Sequence, residues 1–246
     1  MSATIDRRRP LWVTSKGTMD MIAAVDPEVA EATFVSDHAI ALGGRLGAVT
    51  GRSWASVASF EADLTSRSID PEVRVAMYDP ERWQHTPVEE QRDPFGAMAR
   101  FGRLAAERDY VRMITPHPGL VSVPDGPVVP ASGDTEEVAY ERSGLTEAAA
   151  RAADIVETQS QRLQGDAVAY RRFVEATAAR ARAVNPSVLV LSGLATSPGF
   201  AATPRMLLEA WESVADVVDG HYLSLSKARY PEVMAAFLRS VLASTT

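Results

Sequence analysis

The stretch VRVAMYDPERWQHTPVEEQ, from Val73 to Gln91, begins as a buried strand and turns abruptly into a polar loop. Val73, Val75 and Met77 alternate toward one face, and the same face then ends in Asp79. A carboxylate on the inward face of a strand is costly unless its position serves a purpose. We therefore ask whether the other strands of the chain end in the same way.

Short apolar segments alternate with longer amphipathic segments along most of the chain. Seven of the short segments are rich in Val and Ile and bounded by Gly, Pro, Asp or Ser, which is typical of strands. They are Leu11–Ser15, Thr33–Asp37, Val73–Tyr78, Tyr110–Thr115, Ile155–Gln159, Val188–Leu191 and Val217–Leu223. The segments between them predict helices, so the repeated strand–helix units predict a parallel sheet with crossover helices.

A closed (β/α) barrel is the architecture that this pattern favours in a chain of 246 residues. We predict one domain, residues 1–246, with an eighth strand that the sequence does not place. An open doubly wound sheet is the alternative, but no strand is followed by a GxGxxG or GxxxxGK[ST] loop. The glycine-rich run Ala41–Gly51 fits neither motif and is interpreted as a flexible turn.

Charge and composition exclude several classes of function. The net charge of -7 argues against a nucleic-acid or anionic-membrane surface. The absence of cysteine excludes disulfides, thiolate nucleophiles and zinc–thiolate sites. No secretory signal and no apolar run of membrane-spanning length are present, which predicts a cytoplasmic protein. We expect a small-molecule substrate and no cofactor, and leave a homodimer open.

The inward faces of nearly all predicted strands begin apolar and end polar or ionisable. In a barrel the carboxyl ends of the strands converge on one mouth, where the active site lies. Asp79 would then be polar because its strand ends at a pocket. The ionisable residues expected at this mouth are Lys16, Asp37, Asp79, His117, Glu157, Asp219 and His221.

Each of these residues also has an ordinary structural interpretation. Asp79 precedes Pro80 and could simply cap a turn. Glu157 is harder to explain in that way, because it sits inside its strand and is followed by two polar glutamines, Gln159 and Gln161. His117 lies between two prolines in TPHPG, which either present it rigidly or merely stop the strand.

The remaining candidates divide in the same way. Asp219 precedes a glycine and could be a loop residue, and His221 could be a satisfied core histidine. Trp83 could form a platform for a sugar ring or pack its loop against the barrel. Lys16 is one of only two lysines in an arginine-biased chain, a bias typical of a high-GC bacterial genome.

Two carboxylates on different strand ends, an aromatic platform and several amides are suited to glycoside hydrolysis. In outline the chain resembles the TIM-barrel glycoside hydrolases, a resemblance of architecture that rests on no specific motif. From their strand-end positions, Asp79 and Glu157 are the leading candidates for the acid and the nucleophile or base, with His117 and His221 as the next catalytic candidates. The candidates for substrate binding are Lys16, Asp37, Trp83, Gln159, Gln161, Ser192, Asp219 and Tyr222.

Three other readings stay open at this point. The two histidines His117 and His221, with strand-end acids, could bind a divalent metal in an isomerase, aldolase or hydrolase, although no HxH or HExxH spacing is present and no metal site is predicted. A lyase or cyclase of specialised metabolism could use His117 or Glu157 as general acid, and Lys16 could form a Schiff base in a desolvated pocket. A barrel that binds a ligand without turning it over is the non-enzymatic alternative.

Overall fold

The structure is a computed structural model that describes residues 10–35, 38–44, 48–225 and 229–244. Eight parallel strands follow one another in chain order around a closed barrel, which confirms the predicted fold, although two of them lie where no strand was predicted. The strands are β1 (Leu11–Ser15), β2 (Ala39–Leu42), β3 (Val49–Trp54), β4 (Val75–Tyr78), β5 (Val111–Ile114), β6 (Ile155–Thr158), β7 (Leu189–Ala195) and β8 (Gly220–Ser224).

Ten α-helices lie in the described part of the chain. They are α1 (Lys16–Val25), α2 (Pro27–Phe34), α3 (Val57–Ser66), α4 (Val88–Arg92), α5 (Pro94–Ala106), α6 (Glu136–Ser143), α7 (Leu145–Ala152), α8 (Ala167–Val184), α9 (Pro204–Val214) and α10 (Pro231–Ser244). Short 3-10 turns occupy Pro118–Ser122 and Gln161–Leu163. None of the helices described is both long enough and apolar enough to cross a membrane.

The described residues pack into two compact units. The first, here called the terminal unit, comprises the described parts of residues 1–50, 160–172 and 191–246. The second, the central unit, comprises residues 51–159 and 173–190. Each unit has its own candidate polar cluster, and the two clusters are described separately below.

The strand predicted over Thr33–Asp37 is wrong, because its first two residues end helix α2. Asp26 caps this helix by accepting a hydrogen bond from the Val29 N–H at 3.2 Å, and Pro27 follows at the first helical position. Thr33 and Phe34 at the end of α2 are buried, and the β-branched and aromatic residues here resemble a strand in sequence. Asp37 itself lies outside the described residues.

The glycine-rich run Ala41–Gly51 was interpreted as a flexible turn, and for its two ends that interpretation is wrong. The run includes the end of β2 and the beginning of β3. Strand β3 pairs in parallel with β4, with Gly51 opposite Val75 and Trp54 opposite Tyr78. Its centre is Gly-Arg-Ser, so the strand lacks the continuous apolar run by which the other strands are recognised.

Helices α5 and α7 approach so closely at Gly102 that only glycine fits. A Cβ atom at this position would lie 2.5 Å from the backbone oxygen of Ala152 and 3.0 Å from its Cβ. We expect Gly102→Ala to lower the free energy of unfolding by about 1–3 kcal/mol, because the helix backbones must separate. Urea-induced unfolding followed by circular dichroism measures this change.

The matched control is Gly17→Ala in helix α1. The nearest atom to its Cβ would be the Ser15 Oγ at 3.9 Å, so the new methyl group meets no obstacle. This variant should be as stable as the parent or more stable by about 0.5 kcal/mol, because alanine favours helix. Equal stability of both alanine variants would contradict the close packing of α5 on α7.

Candidate active site

Asp79 is the first residue after β4, on the face of the strand that points away from the helices. Tyr78 marks the helix side, because its ring stacks on Phe101 of α5 with ring centroids 5.4 Å apart. Its hydroxyl donates to Glu90 at 2.8 Å on the same side. Since side chains alternate along a strand, Met77 and Asp79 lie on the opposite, inner face, as the sequence predicts.

The carboxylate of Asp79 is held by two neighbouring strands of the central unit. The Thr115 hydroxyl donates to Oδ1 of Asp79 at 2.6 Å, and the Gln159 amide donates to the same oxygen at 3.1 Å. The Gln159 amide also donates to the Thr115 carbonyl at 2.8 Å. Thr115 is adjacent because β4 and β5 pair with Tyr78 opposite Ile114, and its N–H continues that ladder to the Tyr78 carbonyl.

Burial raises the pKa of Asp79 from 3.8 to about 6, although the hydrogen bonds from Thr115 and Gln159 act to lower it. The side chain nevertheless keeps intermediate solvent exposure. In the part of the chain that the structure describes, no group donates a hydrogen bond to its second oxygen, Oδ2. The site therefore contains a carboxyl group that titrates near neutrality and has one oxygen available.

Glu157 lies in the same row of the sheet as Asp79. Strand β6 pairs with β5 with Ile114 opposite Val156, so extending the register by one residue puts Glu157 beside Thr115. Glu157 is 2% exposed, which is unusual for a glutamate inside a strand. With strands about 4.8 Å apart, the Cα atoms of the two acids are about 10 Å apart, and side chains on the inner face converge from there.

His117 is fixed next to this row by backbone contacts. Its N–H donates to the Pro80 carbonyl at 3.1 Å, so the loop after β5 is tied to the residue that follows Asp79. Its Nδ1 accepts from the Gly119 N–H at 2.9 Å and thereby caps the 3-10 turn Pro118–Ser122. The ring is half-buried, so this histidine serves the turn and also borders the site.

The loop after β4 is rigidly built around Thr86. The Thr86 hydroxyl donates to the Ala55 carbonyl at 2.9 Å and accepts from the Trp83 indole N–H at 2.9 Å. Gln91 donates from its amide to the Trp83 carbonyl at 2.8 Å. Trp83 is 40% exposed and meets the edge of His85, so it is anchored by its nitrogen and presents part of its ring to solvent.

In the terminal unit, His221 and Ser192 are in contact, but they do not lie at the carboxyl ends of their strands. Strand β8 begins at Gly220, so His221 is its second residue and lies near the N-terminal end, not the C-terminal end expected from the sequence. It lies opposite Ser192 and Trp12 in the register, and Ser192 Oγ is 2.9 Å from its Nδ1. The Trp211 ring of α9 lies 6.3 Å from the His221 ring, so this row faces the helices.

Burial lowers the pKa of His221 from 6.5 to about 3, because the ring is surrounded by apolar groups and the charged form loses its solvation. The Trp12 ring lies 5.3 Å from it, and the imidazole is 1% exposed. The geometry therefore gives His221 and Ser192 the contacts of a satisfied polar pair in the core.

Four other binding candidates have positions that differ from one another. Lys16 begins helix α1 and pairs with Asp20, and its side chain is 50% exposed. Asp219 precedes β8, where its carbonyl accepts from the Leu11 N–H at 3.0 Å. Gln161 begins a 3-10 turn after β6. Tyr222 lies on the face of β8 opposite His221 and is partly exposed.

The sequence analysis did not single out Thr115 as a site residue, although it stands on the same inward face as Asp79. Thr115 could have been identified by its position beside the strand-end acid Asp79. That position is known only once the register of β4 and β5 is known. Across residues 10–35, 38–44, 48–225 and 229–244, no three His, Asp or Glu side chains are grouped so as to hold a metal ion.

No protein-family model matches the sequence, and comparison with curated proteins gives no match. Among solved structures, the chain is similar to a Schiff-base-forming fructose-1,6-bisphosphate aldolase, with TM-score 0.54, 16% identity and coverage of 98% of this chain and 96% of that one. An archaeal fructose-1,6-bisphosphate aldolase, with its catalytic lysine bound to a carbinolamine intermediate, gives TM-score 0.50, 14% identity and coverage of 98% and 95%.

A protein of Bacteroides thetaiotaomicron, provisionally assigned as an alpha-L-fucosidase, matches with TM-score 0.51 and 9% identity. The match covers 76% of this chain and 60% of the fucosidase chain, so this chain spans less than two thirds of that protein's length. At these identities the likeness concerns the fold: the chain is a TIM barrel, an architecture on which both a hydrolase and lyases are found among its structural neighbours.

Proposed function

We propose that the protein is an enzyme that uses Asp79 for general acid–base chemistry on a small glycoside-like or polyhydroxylated substrate. The observation that carries this proposal is the carboxyl group of Asp79, whose pKa is raised to about 6 and whose Oδ2 is open. A general acid works best when its pKa lies near the working pH. Strongly perturbed carboxyl groups in recesses are typical of active sites, since such placement costs stability.

Glu157 is the second carboxylate of the proposed mechanism. Glycoside hydrolysis needs two acids, about 5–5.5 Å apart when the product retains its configuration and about 6.5–9.5 Å apart when it inverts. The shared row of Asp79 and Glu157, two strands apart, supports a separation in this range. Asp79 would protonate the leaving oxygen, and Glu157 would attack the sugar or activate water. The exposed part of the Trp83 ring offers a face for the sugar.

A lyase is the second candidate, because the two aldolases match nearly the whole chain. A Schiff-base lyase needs a lysine that loses its charge in a desolvated pocket. The chain has two lysines, Lys16 and Lys227, and the second lies outside the described residues. Lys16 is half-exposed and paired with Asp20, so it does not lie in a desolvated pocket, and the acid–base mechanism has the stronger support.

A panel of p-nitrophenyl glycosides tests the proposal directly. We expect release of p-nitrophenol from at least one of them, and a loss of about 100-fold in kcat/KM in Glu157→Gln, which keeps the shape but removes the charge. Glu107→Gln, at the exposed end of α5, is the matched control and should retain full activity. Equal activity in Glu157→Gln and the parent would remove Glu157 from the mechanism.

A trapping experiment separates the two candidate functions. The protein is incubated with fructose 1,6-bisphosphate and sodium borohydride, and peptides are analysed by mass spectrometry. A Schiff base reduced at lysine would increase the mass of the peptide that contains Lys16 or Lys227. We expect no adduct on either peptide, and a stoichiometric adduct with no glycoside turnover would replace the hydrolase proposal with a lyase.

A further inference from the structure

The hydrogen bonds of Asp79 are all on one oxygen. Oδ1 accepts from the Thr115 hydroxyl at 2.6 Å and from the Gln159 amide at 3.1 Å, while Oδ2 accepts no hydrogen bond from the described residues. A protonated carboxyl group donates from one oxygen and accepts at the other. The Gln159 amide nitrogen can only donate to Oδ1, and the Thr115 hydroxyl is placed to donate there too, so this arrangement favours Oδ2 as the oxygen that holds the proton of the neutral acid.

The orientation of the Gln159 amide follows from its neighbours. The Thr115 carbonyl can only accept a hydrogen bond, so the amide nitrogen, not its oxygen, faces it at 2.8 Å. The same nitrogen has a second proton, which reaches Asp79 Oδ1. Gln159 thus bridges from the loop after β6 across β5 to the end of β4. Its amide nitrogen is engaged within the protein, and the substrate-binding role expected from the sequence stays a prediction.

The hydroxyl of Thr115 is committed in the same way. Thr115 is fully buried, and its hydroxyl has one proton, which it donates to Asp79. The short distance of 2.6 Å is typical of a hydroxyl that donates to a carboxylate. Both donors therefore stabilise the charged form of Asp79, in opposition to its burial.

We propose that Thr115 and Gln159 are positioning residues that fix Asp79 through Oδ1, so that Oδ2 alone holds and transfers the proton. This inference deepens the proposed function and rests on it for the role of Asp79 as the proton-transferring group. The two residues act through Asp79 and need not contact the substrate. They set both the direction in which the proton points and the pH at which it leaves.

Other ionisable groups of the central unit lie around Asp79. Glu157 shares its row on β6, His117 borders it from the loop after β5, and Tyr78 and Glu90 lie on the opposite face of β4. Their effects are present in every variant that keeps them. Comparing two substitutions at Thr115 therefore isolates the contribution of its hydroxyl.

The test is the direct titration of Asp79 by ¹³C NMR in protein labelled at the aspartate carboxyl carbons. The Asp79 resonance is assigned by its loss in Asp79→Asn, and no substrate is needed. In Thr115→Val, which keeps the shape and removes the hydroxyl, we expect the midpoint to rise by about one pH unit. Thr115→Ser keeps the donor and should titrate within about 0.3 of the parent.

Gln159→Met is the second variant, because a buried Thr115→Val could fail to fold while Gln159 is partly exposed. It removes the amide donor and should also raise the midpoint. A rise in either folded variant that Thr115→Ser does not share supports the positioning role, and unchanged midpoints overturn it. Failure of the proposed function has a different signature, since Asp79→Asn would then turn over alkyl glycosides, whose leaving alcohol needs a proton, at the parent rate whatever the titrations show.

Discussion

Asp79→Asn should lose about a thousandfold in kcat/KM on alkyl glycosides, whose leaving alcohol must be protonated, and yet make the folded protein more stable at pH 8. General acid–base catalysis contributes about 10²–10⁴ to a rate, and asparagine cannot supply a proton. The substitution keeps the geometry, because the asparagine Oδ1 can accept from both Thr115 and Gln159 as the carboxylate does. Loss of activity would therefore report the missing proton and not a collapsed site.

The gain in stability follows from the raised pKa of Asp79. In the unfolded chain the carboxyl group ionises near pH 3.8, whereas in the folded protein it ionises near pH 6. Between these values the unfolded state releases a proton that the folded state keeps, so stability falls by about 1.4 kcal/mol for each pH unit as the pH rises. Above pH 6 the loss of stability caused by the ionised Asp79 approaches about 3 kcal/mol. Asparagine does not ionise, so the variant avoids this loss.

Urea unfolding at pH 8 and pH 4 measures this effect. The variant should exceed the parent by about 1–3 kcal/mol at pH 8 and by only about 0.5 kcal/mol at pH 4, where the parent carboxyl group is neutral in the folded protein and about half ionised in the unfolded chain. Asp109→Asn is the matched control, because this exposed residue has φ 58°, a conformation that asparagine adopts as readily. A variant less stable than the parent at pH 8 would contradict the raised pKa of Asp79 and weaken the case for the proposed active site.

The inner face of β4 could be predicted because its apolar residues are followed by one ionisable residue. Val75 and Met77 are apolar and Asp79 is not, and the outer residue Tyr78 is an aromatic with a polar end that suits the helix layer. The same contrast identifies Glu157 on β6. In both strands the inward face can be recognised from the sequence because its last residue is a carboxylic acid and the residues before it are apolar.

The faces of β1 and β8 could not be predicted, for a physical reason. Parallel barrel strands are buried on both sides, so Trp12 and Val13 are equally apolar and alternation carries no signal. The boundary of β8 was also mispredicted. Because Val217 and Val218 are apolar, the predicted strand begins too early, and His221 therefore falls near its C-terminal end. In the structure these two valines close the turn after α9, where both N–H groups donate to the Val214 carbonyl.

The second large effect that we expect is a loss of stability in acid caused by His221. Its folded pKa of about 3 lies well below its value of 6.5 in the unfolded chain. As the pH falls below 6.5, the unfolded state binds a proton that the buried imidazole refuses, so stability drops by about 1.4 kcal/mol for each pH unit until about pH 3. Above pH 6.5 both states are neutral, and the full stability is present.

His221→Gln isolates this contribution, because glutamine does not titrate and can still pair with Ser192 in place of the Nδ1 contact of 2.9 Å. We expect the parent to lose about 2–3 kcal/mol more than the variant between pH 6.5 and pH 4.5, measured by urea unfolding at each pH. The change between the two pH values is compared, so any packing cost of the glutamine cancels. His85→Gln, at an exposed ring, should leave that change unaltered.

The same experiment decides between the two interpretations of His221 that the sequence left open. A histidine at a solvated mouth would keep its proton affinity on folding, and the variant would then follow the parent through the whole pH range. A histidine enclosed by Trp12 and Trp211 must give up that affinity, since a buried imidazolium with only a hydroxyl beside it has no compensating charge. A steeper acid loss in the parent thus assigns His221 to the core and leaves proton transfer to the carboxyl groups of the central unit.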